Sequence, residues 1–464
     1  MRRAWKIMLP KARPRAQRTW LALPLGRPAF DFSIPALPLV AILVLTAGAL
    51  NTRAQLLPGP DSAGGFLRNL LDDHDGIGPA DPAPDAGSTV MEPASPLQIT
   101  RESNAVFRVE NHFHFTDAQD CKFTWQLRQF ASPLSNAAPF TAVRSGFLDA
   151  PAIPPGRSGL VKIPGVSPKS ADALALRVDD PAGRELGVWV WPLRRLDFYR
   201  LTQEPAEHRA VPAETNGVIT ITTGDLAARF SRTTGLLLGV RRGSQEFSLT
   251  NGPRLTVGGA TLRQLHFDDD GPDAFVSAKF DGNLRSIFWR VNGNGWINCE
   301  YAWSAAVTNG APGLSFDYPG DLILRKRWLG DGPYPVWKNR LAGVSLGVWE
   351  SARQPAARDW FEPEFTGCFS GVRWLQLETR EGLITILNHS GVPFVQLPPS
   401  ALPPANLAGN AAAPAPGYGL AFLECIPASG PQPGGEMPAD SAGQTNAIPA
   451  EYLGSLGFHF GPLP

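Results

Sequence analysis

The sequence predicts an all-β protein beyond its first hundred residues. Short segments alternate apolar and polar side chains, the period of a half-buried strand. Among 464 residues, 47 Gly and 46 Pro punctuate these segments as turns. No stretch after residue 96 keeps a helical period over three turns. Strand and helix never alternate, which leaves no room for a (β/α)8 barrel of about 250 residues. With 43% hydrophobic and 18% charged residues, the chain has an ordinary globular balance and is long enough for about three domains.

Residues 1–54 carry nine Lys/Arg and one acid, Asp31, ahead of the apolar run "LVAILVLTAGAL" (Leu39–Leu50). A basic head, a short apolar run and small residues before Gln55 predict a signal peptide cut after Ala54, and hence an exported protein. The run has 12 residues, fewer than the roughly 18 a membrane span needs, so no stable span is expected. A retained N-terminal membrane anchor is the alternative. Arg2-Arg3 lacks the rest of a twin-arginine context. The remaining chain holds 33 bases and 41 acids, a balance without the basic footprint of a nucleic-acid binder.

Residues 55–95, with "PGPDSAGG" and "DDHDGIGPADPAPDAGS", read as a disordered Pro/Gly-rich linker. "DDHDG" is not a calcium loop, because Leu71 holds the first ligand position and no Glu follows at the required spacing. From residue 96 to 201 the strands "AVFRVENHFHF", "CKFTWQLRQF", "ALALRV" and "ELGVWVWPL" fit an immunoglobulin-like β-sandwich. His112 and His114 lie two apart, on one face of a predicted strand, with no third metal ligand in view. Residues 202–216 read as a second linker. From 217 to 464 "GVITITTGDLAARFSRTTGLLLGVRRGSQEF" predicts strand, turn, strand, turn, strand, and "SIFWRVNGNGWINCEYAWS" predicts a hairpin turning at Asn-Gly.

Cys121, Cys299, Cys368 and Cys425 allow three disulfide connectivities or four buried thiols, and none forms a Cys-x-x-Cys metal site. No cofactor or metal is implied.

The densest motif is "RWLGDGPYPVWKNRLAG", Arg327 to Gly343. Trp328, Tyr334 and Trp337 offer faces for stacking on a sugar, and Asp331, Lys338, Asn339 and Arg340 offer hydrogen bonds to hydroxyls. The alternative is scaffold: Gly330, Gly332 and Pro333 shape a turn, aromatics pin it to a sheet, and Arg340 ties down a carboxylate such as Glu364.

Read with "VENHFHFTDAQDCKFTWQLRQF", "GVRWLQLETREGLITI" and "EYLGSLGFHFGPLP", these blocks resemble, in order, the C-terminal half of family 2 β-galactosidases. The resemblance spans Val106 to Pro464 and implies a domain 4 sandwich followed by the small-chain domain, a galactose-mutarotase-like β-supersandwich. It implies a Trp-(Leu/Phe)-Gly-x-Gly-Pro signature, present at Trp328–Pro333, and an Asn-Arg pair, present at Asn339–Arg340. In that family both catalytic carboxylates sit on a central barrel, the acid in an Asn-Glu pair. This chain has neither barrel nor Asn-Glu; "NCE" at 298–300 lies within a strand. Relatives also place a tryptophan near the C-terminus that reaches the galactose site, whereas the last one here is Trp374.

The expectation is a non-catalytic carbohydrate-binding or accessory module for a galactoside-like ligand, with Trp328, Asp331, Tyr334, Trp337, Lys338, Asn339, Arg340 and Glu364 as candidate binding residues and no catalytic residues. The alternative is a small subunit completed by a barrel-bearing glycosidase partner. A mutarotase-like enzyme using His266 or His389 with Glu364 is the third reading.

Overall fold

The computed structural model describes residues 95–135, 138–167, 169–304, 311–336, 343–353, 367–398, 419–426 and 451–463. The expected signal peptide and the linker up to residue 94 lie outside them. Among the described residues, helix is confined to three short 3-10 turns, and no helix is long and apolar enough to cross a membrane.

Seven strands open the described chain: β1 (Leu97–Arg101), β2 (Val106–Asn111), β3 (Lys122–Phe130), β4 (Phe140–Leu148), β5 (Ser158–Lys162), β6 (Ala173–Asp179) and β7 (Glu185–Pro192). They form a three-stranded sheet, β1-β2-β5, and a four-stranded sheet, β4-β3-β6-β7. This is the Greek-key partition of an immunoglobulin-like sandwich. Alternation sets the faces. In β3, Phe123, Trp125 and Leu127 are buried while Lys122 is exposed. They meet Phe107, Val109, Leu174 and Leu176 in one core, each worth about 1.5–3 kcal/mol when fully buried.

The strands that follow build two larger sheets. One joins β8 (Val211–Thr215), β9 (Val218–Thr223), β10 (Leu226–Ser231), β11 (Leu237–Arg242), β12 (Gln245–Phe247), β13 (Thr250–Leu255), β18 (Gly313–Asp317), β21 (Gly367–Ser370), β24 (Phe394–Leu397) and β25 (Leu420–Leu423). The other, in spatial order, joins β14 (Ala260–Asp270), β15 (Asp273–Gly282), β16 (Leu284–Val291), β17 (Ile297–Trp303), β26 (Tyr452–Phe460), β23 (Gly382–Asn388), β22 (Trp374–Thr379), β19 (Ile323–Gly332) and β20 (Ser345–Ala352). Their facing sides share one core. Trp289 lies at its centre, with Phe230 at 5.4 Å and Phe316 at 6.3 Å between ring centroids. A sandwich followed by a supersandwich is the predicted fold class.

The first sandwich rests on the outer side of the nine-stranded sheet. Phe130 and Ala173 share a buried cluster with Trp374 and Leu387, and Arg327 Nη1 and Gln376 Nε2 donate to the carbonyls of Ser135 and Pro133 at 2.7 and 2.9 Å. The Asn-Gly hairpin fastens the connection. Asn292 Nδ2 donates to the Thr202 carbonyl at 2.8 Å, and Asn294 Nδ2 donates to the Glu204 carbonyl at 2.8 Å. His389, behind β23, meets the Tyr199 ring edge-on at 5.1 Å. Its carbonyl accepts from Arg195 Nη2 at 3.1 Å.

Three expectations change. Residues 202–216 are not a free linker, because Val211–Thr215 pairs with β9 as an edge strand; Pro212 and the exposed Glu214 hid it. His112 and His114 do not share a strand face, since β2 ends at Asn111. The Asn111 side chain turns the chain there: Nδ2 donates to the carbonyls of Thr116 and Ile153, and Oδ1 accepts from the Phe113 N–H. The choice between disulfides and thiols resolves to thiols: none of the four cysteines is bridged, and Cys121, Cys299 and Cys368 are buried. Burial pushes the Cys121 thiol up to about 11, so these thiols behave as small apolar side chains.

Candidate functional site

The predicted motif sits where β19 ends. Inward-facing Lys326 and Trp328 are each 1% exposed. The Trp328 indole donates from Nε1 to the Asp331 carbonyl at 3.1 Å and meets the Phe369 ring at 5.0 Å. The Lys326 ammonium lies 3.9 Å from the Phe369 ring centroid and 5.2 Å from that of Trp328, a cation–π arrangement out of water.

Both signature glycines answer to close packing. A Cβ on Gly330 would stand 2.9 Å from Val372 Cα and 3.0 Å from the Ser370 carbonyl oxygen. One on Gly332 would stand 2.6 Å from the Trp349 ring. Trp349 in turn donates from Nε1 to the carbonyls of Gly330 and Ser345, both at 3.2 Å. Beyond Gly332 the chain leaves the nine-stranded sheet and pairs with the other one: Val336 forms an antiparallel bridge with Cys368, its N–H 2.7 Å from the Cys368 carbonyl. The stretch Gly332 to Val336 is therefore a strap from β19, one strand in from the edge of its sheet, to the edge strand β21 of the other. Replacing Gly330 by Ala drives a methyl into backbone that cannot step aside. We expect a loss of about 1–3 kcal/mol, read as a lowered midpoint in urea unfolding.

Asp331 brings ionisable chemistry to this edge. Its Oδ2 accepts from Ser370 Oγ at 2.8 Å. Burial pushes its carboxyl above the ordinary range, opposed by the Ser370 hydroxyl and by Arg373. Tyr334 and Trp349 are half-buried. A carboxyl, a hydroxyl and a partly open indole suit hydrogen bonding and stacking on a polyhydroxylated ligand.

Of the eight predicted binding residues, the structure brings Trp328, Asp331 and Tyr334 to this edge. Trp337, Lys338, Asn339, Arg340 and Glu364 lie outside the described residues. Trp328 is corrected from ligand surface to scaffold, since its indole is enclosed and has no open face. Of the mutarotase parts, only the two histidines are among the described residues. His266 is on β14 and His389 follows β23, five strand spacings apart in the sheet order, about 24 Å. The third reading needs only one of them beside Glu364, which lies outside the described residues. Sequence reasoning missed Lys326, Ser370 and Trp349. "RKR" reads as a solvated face, and only the bulge between Ile323 and Arg325 turns Lys326 inward.

No protein-family model and no curated protein matches the chain. Among solved structures it is similar to a galactose 1-epimerase from Lactobacillus acidophilus NCFM, at 11% identity over 55% of this chain and 99% of that one, with a TM-score of 0.31. It is also similar to the mutarotase-like protein YeaD from Salmonella typhimurium, at 12% identity over 56% of this chain and 98% of that one, with a TM-score of 0.26.

Proposed function

We propose that this chain is an exported, non-catalytic carbohydrate-binding module that takes a galactoside-like ligand at the strap. The observation that carries this is the Asp331–Ser370 pair, a carboxyl and a hydroxyl held 2.8 Å apart; Tyr334, three residues on from Asp331, is half-buried. The stretch Trp337–Arg340 follows directly in sequence and supplies a further indole, an amide and two cations. Retaining hydrolysis needs two carboxylates about 5–5.5 Å apart, and the sequence holds no counterpart of the family's barrel pair. The block order shared with family 2 β-galactosidases supports descent from their C-terminal half.

Isothermal titration of the purified chain with lactose tests this reading. We expect binding that Trp337→Ala and Asp331→Asn each weaken by about tenfold or more, with no release of galactose. An Asp331→Asn protein binding as the parent does would remove the strap from the site. Galactose release appearing only after addition of a barrel-bearing glycosidase chain would establish the hydrolase-subunit alternative instead. Export predicts that N-terminal sequencing of secreted protein begins at Gln55; an intact Met1 in a membrane fraction would contradict it.

A further inference from the structure

The last strands of the two large sheets lie side by side without pairing. β8 ends the ten-stranded sheet and β14 ends the nine-stranded one. Ties bridge the gap between them at two places. At one, the Ala210 N–H donates to the Pro272 carbonyl at 2.8 Å, and Arg209 Nη2 donates to Asp269 Oδ2. At the other, Arg232 Nη1 donates to the Leu265 carbonyl at 2.9 Å, and its Nε lies 3.5 Å from Glu214 Oε2. By the first tie an open groove of about 460 Å³ is lined by Arg209, Val211, Pro212, Phe267, Asp268 and Asp269. That volume falls in the roughly 300–1,000 Å³ range of small-molecule sites. Solvent reaches the groove, since Val211 is 52% exposed.

The lining combines apolar surface with fixed charge. Pro212 and Phe267 are half-buried, and Phe267 packs against the core between the sheets. Arg209 and Asp269 present a donor and an acceptor side by side, and the hydrogen bond from Arg209 holds the Asp269 carboxyl below its ordinary range. The exposed Asp268 carboxylate accepts from the Asp269 N–H at 2.9 Å and keeps acceptor capacity beyond that bond. Vicinal hydroxyls suit such a lining. One donates to a carboxylate while its neighbour accepts from the guanidinium, and the C–H face of the ring covers the apolar side chains. An anion would meet two carboxylates, and a cation would meet Arg209. A peptide strand is the poorer occupant: Pro212 withholds an N–H from the edge of β8 and charges line β14, both devices against strand addition.

We propose that the groove between β8 and β14 is a second carbohydrate site. It takes a neutral sugar ring, with Arg209, Asp268 and Asp269 on its hydroxyls and Val211 and Phe267 under its apolar face. The ligand class rests on the reading of this chain as a carbohydrate binder; the groove shares no residue with the strap. Held by a few hydrogen bonds at an exposed surface, the sugar should bind at about millimolar concentration. That is enough for a titration and too weak to retain a glycan by itself.

The test uses the full chain labelled with 13C at its valine methyls, titrated with β-1,4-galactobiose and followed by NMR. The Val211 signals are those missing from Val211→Ala, and we expect them to move saturably. Asp268→Asn and Arg209→Gln should each raise the concentration for half the shift about tenfold. Both should melt within a few degrees of the parent, because exposed ion pairs contribute little to stability. Asp268 lies outside the Arg209–Asp269 tie, so it carries the test should Arg209→Gln unfold. Trp337→Ala should leave the Val211 response in place. Val211 signals that stay still while the sugar binds elsewhere, or that move alike in Asp268→Asn and parent, would overturn this proposal and leave the strap reading standing. Digalacturonate or di-glucosamine shifting Val211 at lower concentration than galactobiose would overturn the neutral ligand. A chain that binds neither galactobiose nor lactose would overturn both readings.

Discussion

Trp328→Ala is expected to cost about 3–5 kcal/mol, the usual loss on deleting a large buried aromatic. The indole is 1% exposed, packs on Phe369 and tethers the Asp331 carbonyl. Its removal empties a space between the two sheets at the point where the strap crosses. It also strips one aromatic face from the Lys326 ammonium, which remains enclosed. For a protein of this size the melting temperature should fall by roughly 10 °C. Trp337→Ala gives the contrast. If Trp337 faces ligand, the same change should leave the melting temperature within a few degrees, since surface substitutions typically cost under about 0.5 kcal/mol, and should remove lactose binding. A Trp328→Ala protein that melts with the parent would show that the strap does not depend on this anchor. A Trp337→Ala protein that melts far below the parent would assign that indole to scaffold as well.

Through two buried histidines acid should destabilise the protein, opposed in part by Glu424, whose carboxyl burial pushes up to about 7. Burial pulls the imidazoles of His389 and His459 down to about 4. Nearby Asp197 opposes this at His389, whereas the Arg242 cation adds to it at His459. In the unfolded chain both return to about 6.5. Between these values the unfolded state binds more protons, so stability is full above about pH 6.5 and falls as pH drops towards 4. The loss is about 2–3 kcal/mol for each histidine. His389 sits where the first sandwich is fastened, and His459 lies on the same sheet face against Trp296 at 5.2 Å. Urea midpoints measured from pH 7.5 to 4.5 should therefore fall steadily, and a His389→Gln/His459→Gln double variant should flatten the profile. A parent profile flat across that range would contradict the burial of both rings in neutral form.

The all-β class was legible because its signal is local. Alternation in "CKFTWQLRQF" marks β3 directly, and Asn-Gly marks the hairpin before β17. What sequence could not show depends on partners far along the chain. Val211–Thr215 becomes a strand only because β9 lies beside it. The asparagines of the hairpin read as turn formers, yet their side chains clamp Thr202 and Glu204 some 90 residues away in sequence. In the strap, "WLGDGP" showed aromatics, glycines and a carboxyl without their orientation. The fold turns Trp328 inward and uses both glycines for close approach, leaving Asp331 to meet Ser370. The packing of His389 and Asn298 against Gly457 was not readable at all, since the three come together only through the register of β17, β26 and β23.

The central claim, that this chain binds carbohydrate without hydrolysing it, is tested most directly by a glycan array probed with the purified chain, with each bound glycan recovered and analysed for cleavage. The account predicts retention of galactose-containing glycans, recovered whole, and their loss from a Trp337→Ala variant that still folds. An array with no retained glycan, or recovered glycans shortened by a sugar, would contradict it.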